Sequence, residues 1–310
     1  MAKGKVFYHS YGNAELYDII RGAAGAEFEL AFLDADNDDE RCAKLADCDA
    51  VICAATPLRK LHLDAAPRLK VVHHQGVGWQ DTTDWREIKR RDLPLALTPE
   101  GTTIGVAEHT ILLMLAASKH LAFADAELRR GQWLVNSLRP VSREVFGKCV
   151  GYIGMGRIAQ CVAERLKAFG CSGLYHDPLA ELPADQAAAL GLRAADFDAV
   201  LAQADILSLH IPLTAASRNL INAGAIGRMK PGAILVNTSR GGIVDEAALA
   251  AALARGHILS AGIDVFEVEP IRPDNPLIAL PNVVLTPHIS AGTRDAMRQK
   301  MDALFGNLRQ

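Results

Sequence analysis

The chain has 310 residues, half of them hydrophobic and 22% charged. That is enough apolar material for about two cored domains at roughly 150 residues each, and it excludes wholesale disorder. Lys and Arg number 33 against 36 acids, a formal net charge of −3, so no basic excess exists to neutralise a nucleic-acid backbone. Apolar runs such as Ile111 to Ala117 are far shorter than the ~20 residues of a membrane-spanning helix. Met1–Lys5 leads straight into strand-like Val6-Phe7-Tyr8, without a signal-peptide stretch. The six cysteines (42, 48, 53, 149, 161 and 171) form no Cys-x-x-Cys; they read as reduced, mostly buried thiols of a cytoplasmic protein, with no metal site expected.

In chain order, short β-branched runs alternate with alanine- and leucine-rich amphipathic stretches. The first third predicts strands over 5–9, 27–32, 50–54, 70–74 and 95–98, with helices over 14–23, 39–45 and 82–90 between most of them. Such alternation builds a parallel βαβ sheet covered on both faces. Thr98-Pro99-Glu100-Gly101-Thr102 interrupts the pattern and reads as a hinge. A long helix is expected from about Val106 to Arg130; it is apolar nearly all round, so burial in the fold or in a subunit interface is expected for it. Six further strands follow over 149–153, 172–175, 205–210, 233–237, 260–264 and 283–285, with helices over 158–169, 195–202, 223–229 and 246–255, and a last helix over 295–308. Six strands with intervening helices are the ingredients of a doubly wound, dinucleotide-binding sheet.

Gly151-Tyr-Ile-Gly154-Met155-Gly156-Arg157-Ile158-Ala159 lies between a predicted strand and a predicted helix, the context a G-x-G-x-x-G/A loop requires. Gly154 permits the tight turn, Gly156 lets backbone approach a pyrophosphate, and Ala159 allows close strand–helix packing. The helix N-terminus offers unpaired N–H groups and a positive dipole end to the anion. About 20 residues on, Asp177 follows the next strand; its carboxylate can accept from ribose hydroxyls and would repel a 2′-phosphate, which favours NAD over NADP.

Ligands of open α/β sheets bind beyond the carboxyl ends of the strands. Gly154, Asp177, His210, Arg240, Glu269 and His288 all fall at or just after predicted strand ends and can line one crevice. Arg240 suits bidentate capture of a carboxylate. His288 can titrate near neutrality, with Glu269 to orient its ring. Each also has a plainer reading, as a solvated ion-pair partner or a turn residue.

These segments together strongly resemble the D-isomer-specific 2-hydroxyacid dehydrogenases. The carrying stretches are Val150–Ile158, Leu209–Thr214, Met229–Asp245, Ala261–Pro270 and Leu285–Ser290, with Gly76-Val77-Gly78 and Val106-Ala-Glu-His109 before them. The resemblance implies two α/β domains of doubly wound parallel sheet: a Rossmann NAD-binding domain (99–288) inserted into a flavodoxin-like substrate domain (1–98, completed by a C-terminal helix, 289–310). It implies NAD as cofactor and interconversion of small 2-keto acids and D-2-hydroxy acids, of the glyoxylate or hydroxypyruvate kind. In that scheme Arg240 binds the substrate carboxylate and keto oxygen, His288 exchanges the proton, and Glu269 keeps His288 protonated. Gly76, Val77 and Gly78 offer N–H groups to the carboxylate. The cofactor is held by Gly154, Met155, Gly156, Arg157, Ile158, Asp177, His210, Pro212, Thr238, Ser239, Asp264 and His288. Asp264 has two open readings, a contact to the nicotinamide carboxamide or a turn cap. The helix around Val106–Lys119 resembles the family's dimer-forming arm, so a homodimer is implied.

The chain departs from the family's pattern before Gly76, where Val71-Val-His-His-Gln stands. Adjacent strand residues face opposite ways, so at most one of His73 and His74 meets a substrate, and one packed with one solvated imidazole is expected. Trp79-Gln80-Asp81 places its acid one position later than usual, and His176 stands where Tyr often precedes the ribose-binding acid. Rival readings are phosphoglycerate dehydrogenase-type activity, whose substrate needs extra cationic partners, formate- or phosphite-type oxidation, and a dinucleotide-sensing corepressor-like binding protein.

Overall fold

The computed structural model describes residues 3–54, 56–76, 78–80 and 82–309. The chain divides into two compact units, one of residues 1–102 and 292–310, the other of residues 103–291. From the sequence the cuts were expected after 98 and 288.

The first unit carries β1 (Gly4–Tyr8), α1 (Ala14–Ala24), β2 (Phe28–Ala31), α2 (Asp38–Leu45), β3 (Ala50–Cys53), α3 (Lys60–Asp64), β4 (Val71–His74), α4 (Trp85–Arg90) and β5 (Leu95–Leu97). All strand pairs are parallel, in the order β2-β1-β3-β4-β5, the flavodoxin-like order. Alternate residues of each strand feed opposite faces. Phe7, Val51, Cys53 and Val72 pack with Leu45, Leu63 and Ile88 of α2, α3 and α4. Val6, Tyr8, Ala50 and Ile52 face α1 and the last helix of the chain.

The second unit carries α5 (Thr102–Ser118, which begins on the boundary), α6 (Leu121–Arg129), α7 (Val135–Leu138), β6 (Cys149–Ile153), α8 (Arg157–Lys167), β7 (Ser172–His176), α9 (Ala184–Leu190), β8 (Leu192–Ala194), α10 (Phe197–Gln203), β9 (Ile206–Leu209), α11 (Ala223–Arg228), β10 (Ala233–Asn237), α12 (Glu246–Ala254), β11 (Ile258–Ile263) and β12 (Val283–Leu285). Its sheet is parallel throughout, in the order β12-β11-β10-β9-β6-β7-β8. Without β12 this is the dinucleotide-binding order. One face packs Leu207, Leu209 and Leu235 against α10, α11 and α12; the other packs Val150, Tyr152, Ile234 and Val236 against α5 and α8. α13 (Arg294–Leu308) then returns to the first unit and buries Met301, Leu304 and Phe305 beside Val6, Ile20 and Ile52. The fold is therefore two doubly wound α/β units, the second inserted into the first.

Two expectations are corrected here. The second sheet has seven strands, not six; β8 is three residues long, and its only buried member is Leu192, too little pattern to read. The expected helix 106–130 is two helices, because His120 takes a left-handed conformation, φ 51°. The last carbonyls of α5 are claimed from outside the helix. Ala117 O accepts from His120 N–H and Ser260 Oγ–H, and Ser118 O accepts from Arg143 N–H, so these two carbonyls are met by donors other than a next helical turn.

Candidate active site

Because the second sheet is wholly parallel, its carboxyl ends share one edge. Read along that edge in strand order, β12 is followed by His288, β11 by Asp264, β10 by Thr238, Ser239 and Arg240, β9 by His210, β6 by Gly154 and β7 by Asp177. Five ladder spacings separate the outermost strands of this set, roughly 24 Å. One end of the edge carries the titratable and cationic side chains, the other the glycine loop.

At the glycine loop, Gly154 has φ 89°, and a Cβ there would lie 2.6 Å from His210 O, so only glycine fits. A Cβ on Gly156 would meet nothing within 4 Å; the space lies open at the mouth of α8. Asn13, Asn37, Asp245 and Thr293 cap the N-termini of α1, α2, α12 and α13 with their side chains, whereas Gly156 gives α8 no side-chain cap. An uncapped helix start beside open space is a cradle for an anionic group. Ala159 is fully buried against the strand side, as its small size allows. Arg157 lies exposed at the helix start and Ile158 is partly buried against the core. Asp177 Oδ2 accepts from Met155 N–H at 2.9 Å and Oδ1 from Leu179 N–H, which ties the acid to the glycine loop. His210 receives or gives a hydrogen bond to Ser208 Oγ at 2.8 Å, and burial holds its imidazole down at about 4, neutral. Pro212 O accepts from Ser217 Oγ–H. These residues fit a bound dinucleotide.

At the other end, Asn237 organises the loop after β10. Its Oδ1 accepts from Ser239 N–H and Oγ–H, and its amide donates to Arg240 O. Thr238 is buried, its hydroxyl 2.8 Å from that of Thr110 on α5. Arg240 donates to Ser239 O from its guanidinium and is partly exposed. A Cβ on Gly241 would sit 1.9 Å from Phe266 C and 2.1 Å from its O. That contact presses the loop after β10 against the loop after β11, which bears Glu269. Glu269 Oε1 accepts from Phe266 N–H at 2.9 Å, and Oε2 lies 2.7 Å from His288 Nδ1. Burial would raise the Glu269 pKa, but the His288 hydrogen bond, with Phe266 N–H and the Arg240 charge adding to it, leaves it below its ordinary value. As an anion it accepts from Nδ1–H, so Nε2 of His288 is the nitrogen left to exchange a proton.

His288 stands at φ 53°. Asp264, fully buried, secures the turn that holds it there: Oδ1 accepts from Thr286 Oγ–H and Ile289 N–H, Oδ2 from Ser290 N–H, and Asp264 O from His288 N–H. Burial would raise the carboxyl pKa; hydrogen bonds from His109, Thr286, Ile289 and Ser290 outweigh it and hold the group down at about 2. These hydrogen bonds form the turn cap named among its readings.

Gly76 (φ 147°) and Gly78 belong to the first unit, and Val77 lies outside the described residues. The expectation of one solvated imidazole is corrected. Both His73 and His74 are buried, His73 Nε2 lying 3.4 Å from Asn307 Nδ2 of α13 and His74 Nε2 2.9 Å from Thr82 Oγ1. They do face opposite ways, but helices and loops cover both faces of this sheet. The sequence reading gave no role to Gly241, Thr286 or His109. The signals were present in the paired glycines after Arg240, the Thr-Pro-His turn and the Val106–His109 segment. Among the described residues, no cluster of three or more His, Cys, Asp or Glu suits a metal ion.

The strand order, the glycine cradle and the acid after β7 define a doubly wound dinucleotide-binding α/β protein. Residues 111–290 match the family model described as D-isomer specific 2-hydroxyacid dehydrogenase, NAD binding domain. The chain belongs to the D-isomer specific 2-hydroxyacid dehydrogenases. It is 42% identical over 275 residues to a D-3-phosphoglycerate dehydrogenase of Mycobacterium tuberculosis, covering 88% of this chain and 51% of that protein. It is 38% identical over 268 residues to a glyoxylate reductase of Korarchaeum cryptofilum, covering 86% and 80%. The solved D-lactate dehydrogenase of Aquifex aeolicus, complexed with NAD and lactic acid, superposes with a TM-score of 0.84 at 26% identity, covering 99% of this chain and 94% of that one. The chain spans about half the length of the phosphoglycerate dehydrogenases it matches.

Proposed function

We propose that the protein is an NAD-dependent oxidoreductase that interconverts small 2-keto acids and D-2-hydroxy acids, with glyoxylate- or hydroxypyruvate-like substrates. The observation that carries this reading is the 2.7 Å Glu269–His288 pair on the same strand edge as Arg240 and the glycine cradle. The nicotinamide, when bound, supplies or accepts the hydride. Glu269 holds Nδ1–H and orients the ring, so His288 gives a proton from Nε2 to the keto oxygen during reduction and takes it back during oxidation. Such acid–base assistance contributes typically ~10²–10⁴-fold. Arg240 anchors the carboxylate and polarises the keto oxygen. Gly76, Val77 and Gly78 are proposed as further substrate contacts. Met155, Arg157, Ile158, His210, Pro212, Thr238 and Ser239 are proposed to line the cofactor, with Asp177 selecting NAD by its charge.

A phosphoglycerate dehydrogenase-type activity is the second reading, favoured by the 42% identity to proteins of that name. We also propose a homodimer. α6 and α7 bury no residue of their own, and Ile104, Leu112, Leu121, Leu128 and Trp133 are exposed, an apolar surface that a second copy would cover. The six free thiols support a reducing, cytoplasmic setting.

The test is NADH oxidation with a panel of glyoxylate, hydroxypyruvate, pyruvate and phosphohydroxypyruvate. Turnover of at least one is expected, with NAD(H) preferred over NADP(H) in kcat/KM. His288→Asn should abolish turnover while NADH binding persists, and Arg240→Ala should raise KM and lower kcat together. Intact NADH binding without turnover of any acid defeats the reading.

A further inference from the structure

Resting on the reading of His288 as the proton-transferring group, we propose that His109 is a positioning residue for it, acting through Thr286 and Asp264. His109 sits on α5, with its side chain largely buried. Its Nε2 lies 3.0 Å from Thr286 Oγ1 and 3.5 Å from Asp264 Oδ1. The Thr286 hydroxyl donates to Asp264 Oδ1 at 2.6 Å, so its oxygen receives at the His109 contact, and His109 carries a proton on Nε2. Asp264 in turn bonds every residue of the 286–290 turn except Pro287: Thr286 through its hydroxyl, His288 through the main chain, and Ile289 and Ser290 through their N–H groups. A buried carboxylate must be fully partnered to hold one orientation, and His109 with Thr286 supplies the partners that come from outside the turn's backbone.

The need for such a clamp follows from the backbone of His288. A non-glycine residue at φ 53° is disfavoured relative to the right-handed region, and it persists only where its surroundings over-determine it. In this conformation Nδ1 meets Glu269. Without the His109 hydrogen bond, Thr286 and Asp264 lose a fixed orientation, the turn relaxes, and His288 leaves Glu269. The chemistry suffers although no reacting atom touches His109. A His109 that only filled space beside β12 would affect stability alone.

The comparison uses His109→Ala, His109→Gln and Thr286→Val in the full chain. It measures kcat and KM for the best acid of the panel, the NADH dissociation constant, Tm, and the downfield ¹H NMR signal of His288 Nδ1–H, assigned by its loss in His288→Asn. In His109→Ala and Thr286→Val, kcat should fall about tenfold, as small misplacements of reacting groups do. KM and NADH binding should stay within about twofold, and the Nδ1–H signal should broaden or vanish. His109→Gln, which retains an amide donor, should recover most of both. A lowered Tm with wild-type kcat and an intact signal in His109→Ala overturns the proposal; should that variant not fold, an intact signal in Thr286→Val overturns it equally. The NMR signature requires no substrate. A wild-type protein that turns over no acid therefore defeats the functional reading, while the signature decides the positioning claim separately.

Discussion

Asp264 shows what hydrogen bonds do to a buried carboxylate. Its pKa lies near 2 in the folded chain against an ordinary 3.8, so a proton binds the unfolded state first as pH falls. The stabilisation it provides is complete above about pH 4 and is lost as pH falls towards 2. In urea titrations across that window, Asp264→Asn should show a shallower loss of unfolding free energy than the wild type, by at most about 1.4 kcal/mol per pH unit, the value of one proton. Equal slopes would show that this carboxylate does not stabilise the turn. At this scale the sequence was informative about residues whose chemistry is intrinsic. Arg240, Glu269 and His288 stood out because a guanidinium, a carboxylate and an imidazole all follow predicted strand ends, although each also has a plainer reading. His109 did not, because its partner lies 177 positions away, and the Val106–His109 segment by itself does not name that partner.

Among the elements, long segments with clear periodicity were legible and short or context-dependent ones were not. The strands of both sheets follow from β-branched runs between turn residues, and their alternation with helices dictates the parallel sheets. α3, α9 and β8 are three to seven residues long, too short for hydrophobic periodicity to mark them. The break between α5 and α6 carries neither Gly nor Pro, since tertiary hydrogen bonds make it. Loop contacts are similarly hidden. Gly241 reads as an ordinary turn glycine, yet its Cα lies against the backbone of Phe266. Gly241→Ala should separate the loops after β10 and β11, lower stability by on the order of 3 kcal/mol and reduce kcat far more than it affects NADH binding. Wild-type kcat in that variant would show that the contact does not position Glu269.

For the whole molecule, composition suggested the number of domains, and the resemblance to the family implied their nesting. Association was legible only in part. The all-round apolarity of α5 was visible, but its exposed Ile104 and Leu112, and the exposed Leu128 and Trp133 beyond it, emerge only once the sheet has taken the other side of the helix. Light scattering should report a dimer for the wild type, and Leu112→Glu with Trp133→Glu should shift it to monomer. A wild-type monomer at micromolar concentration would remove the proposed interface.

The return of α13 to the first unit has a consequence for how the polypeptide is made. The second unit is one continuous stretch, Thr103 to Ala291, and can be finished on the ribosome. The first cannot, because Met301, Leu304 and Phe305 complete the layer over Val6, Ile20 and Ile52. Synthesis of the intervening stretch takes on the order of ten seconds or more at ribosomal rates. Throughout that interval one face of the first sheet lacks its cover, and its exposed apolar strands and helix are available to neighbouring nascent chains. The nesting therefore sets a period of vulnerability during translation that no property of the finished protein reveals.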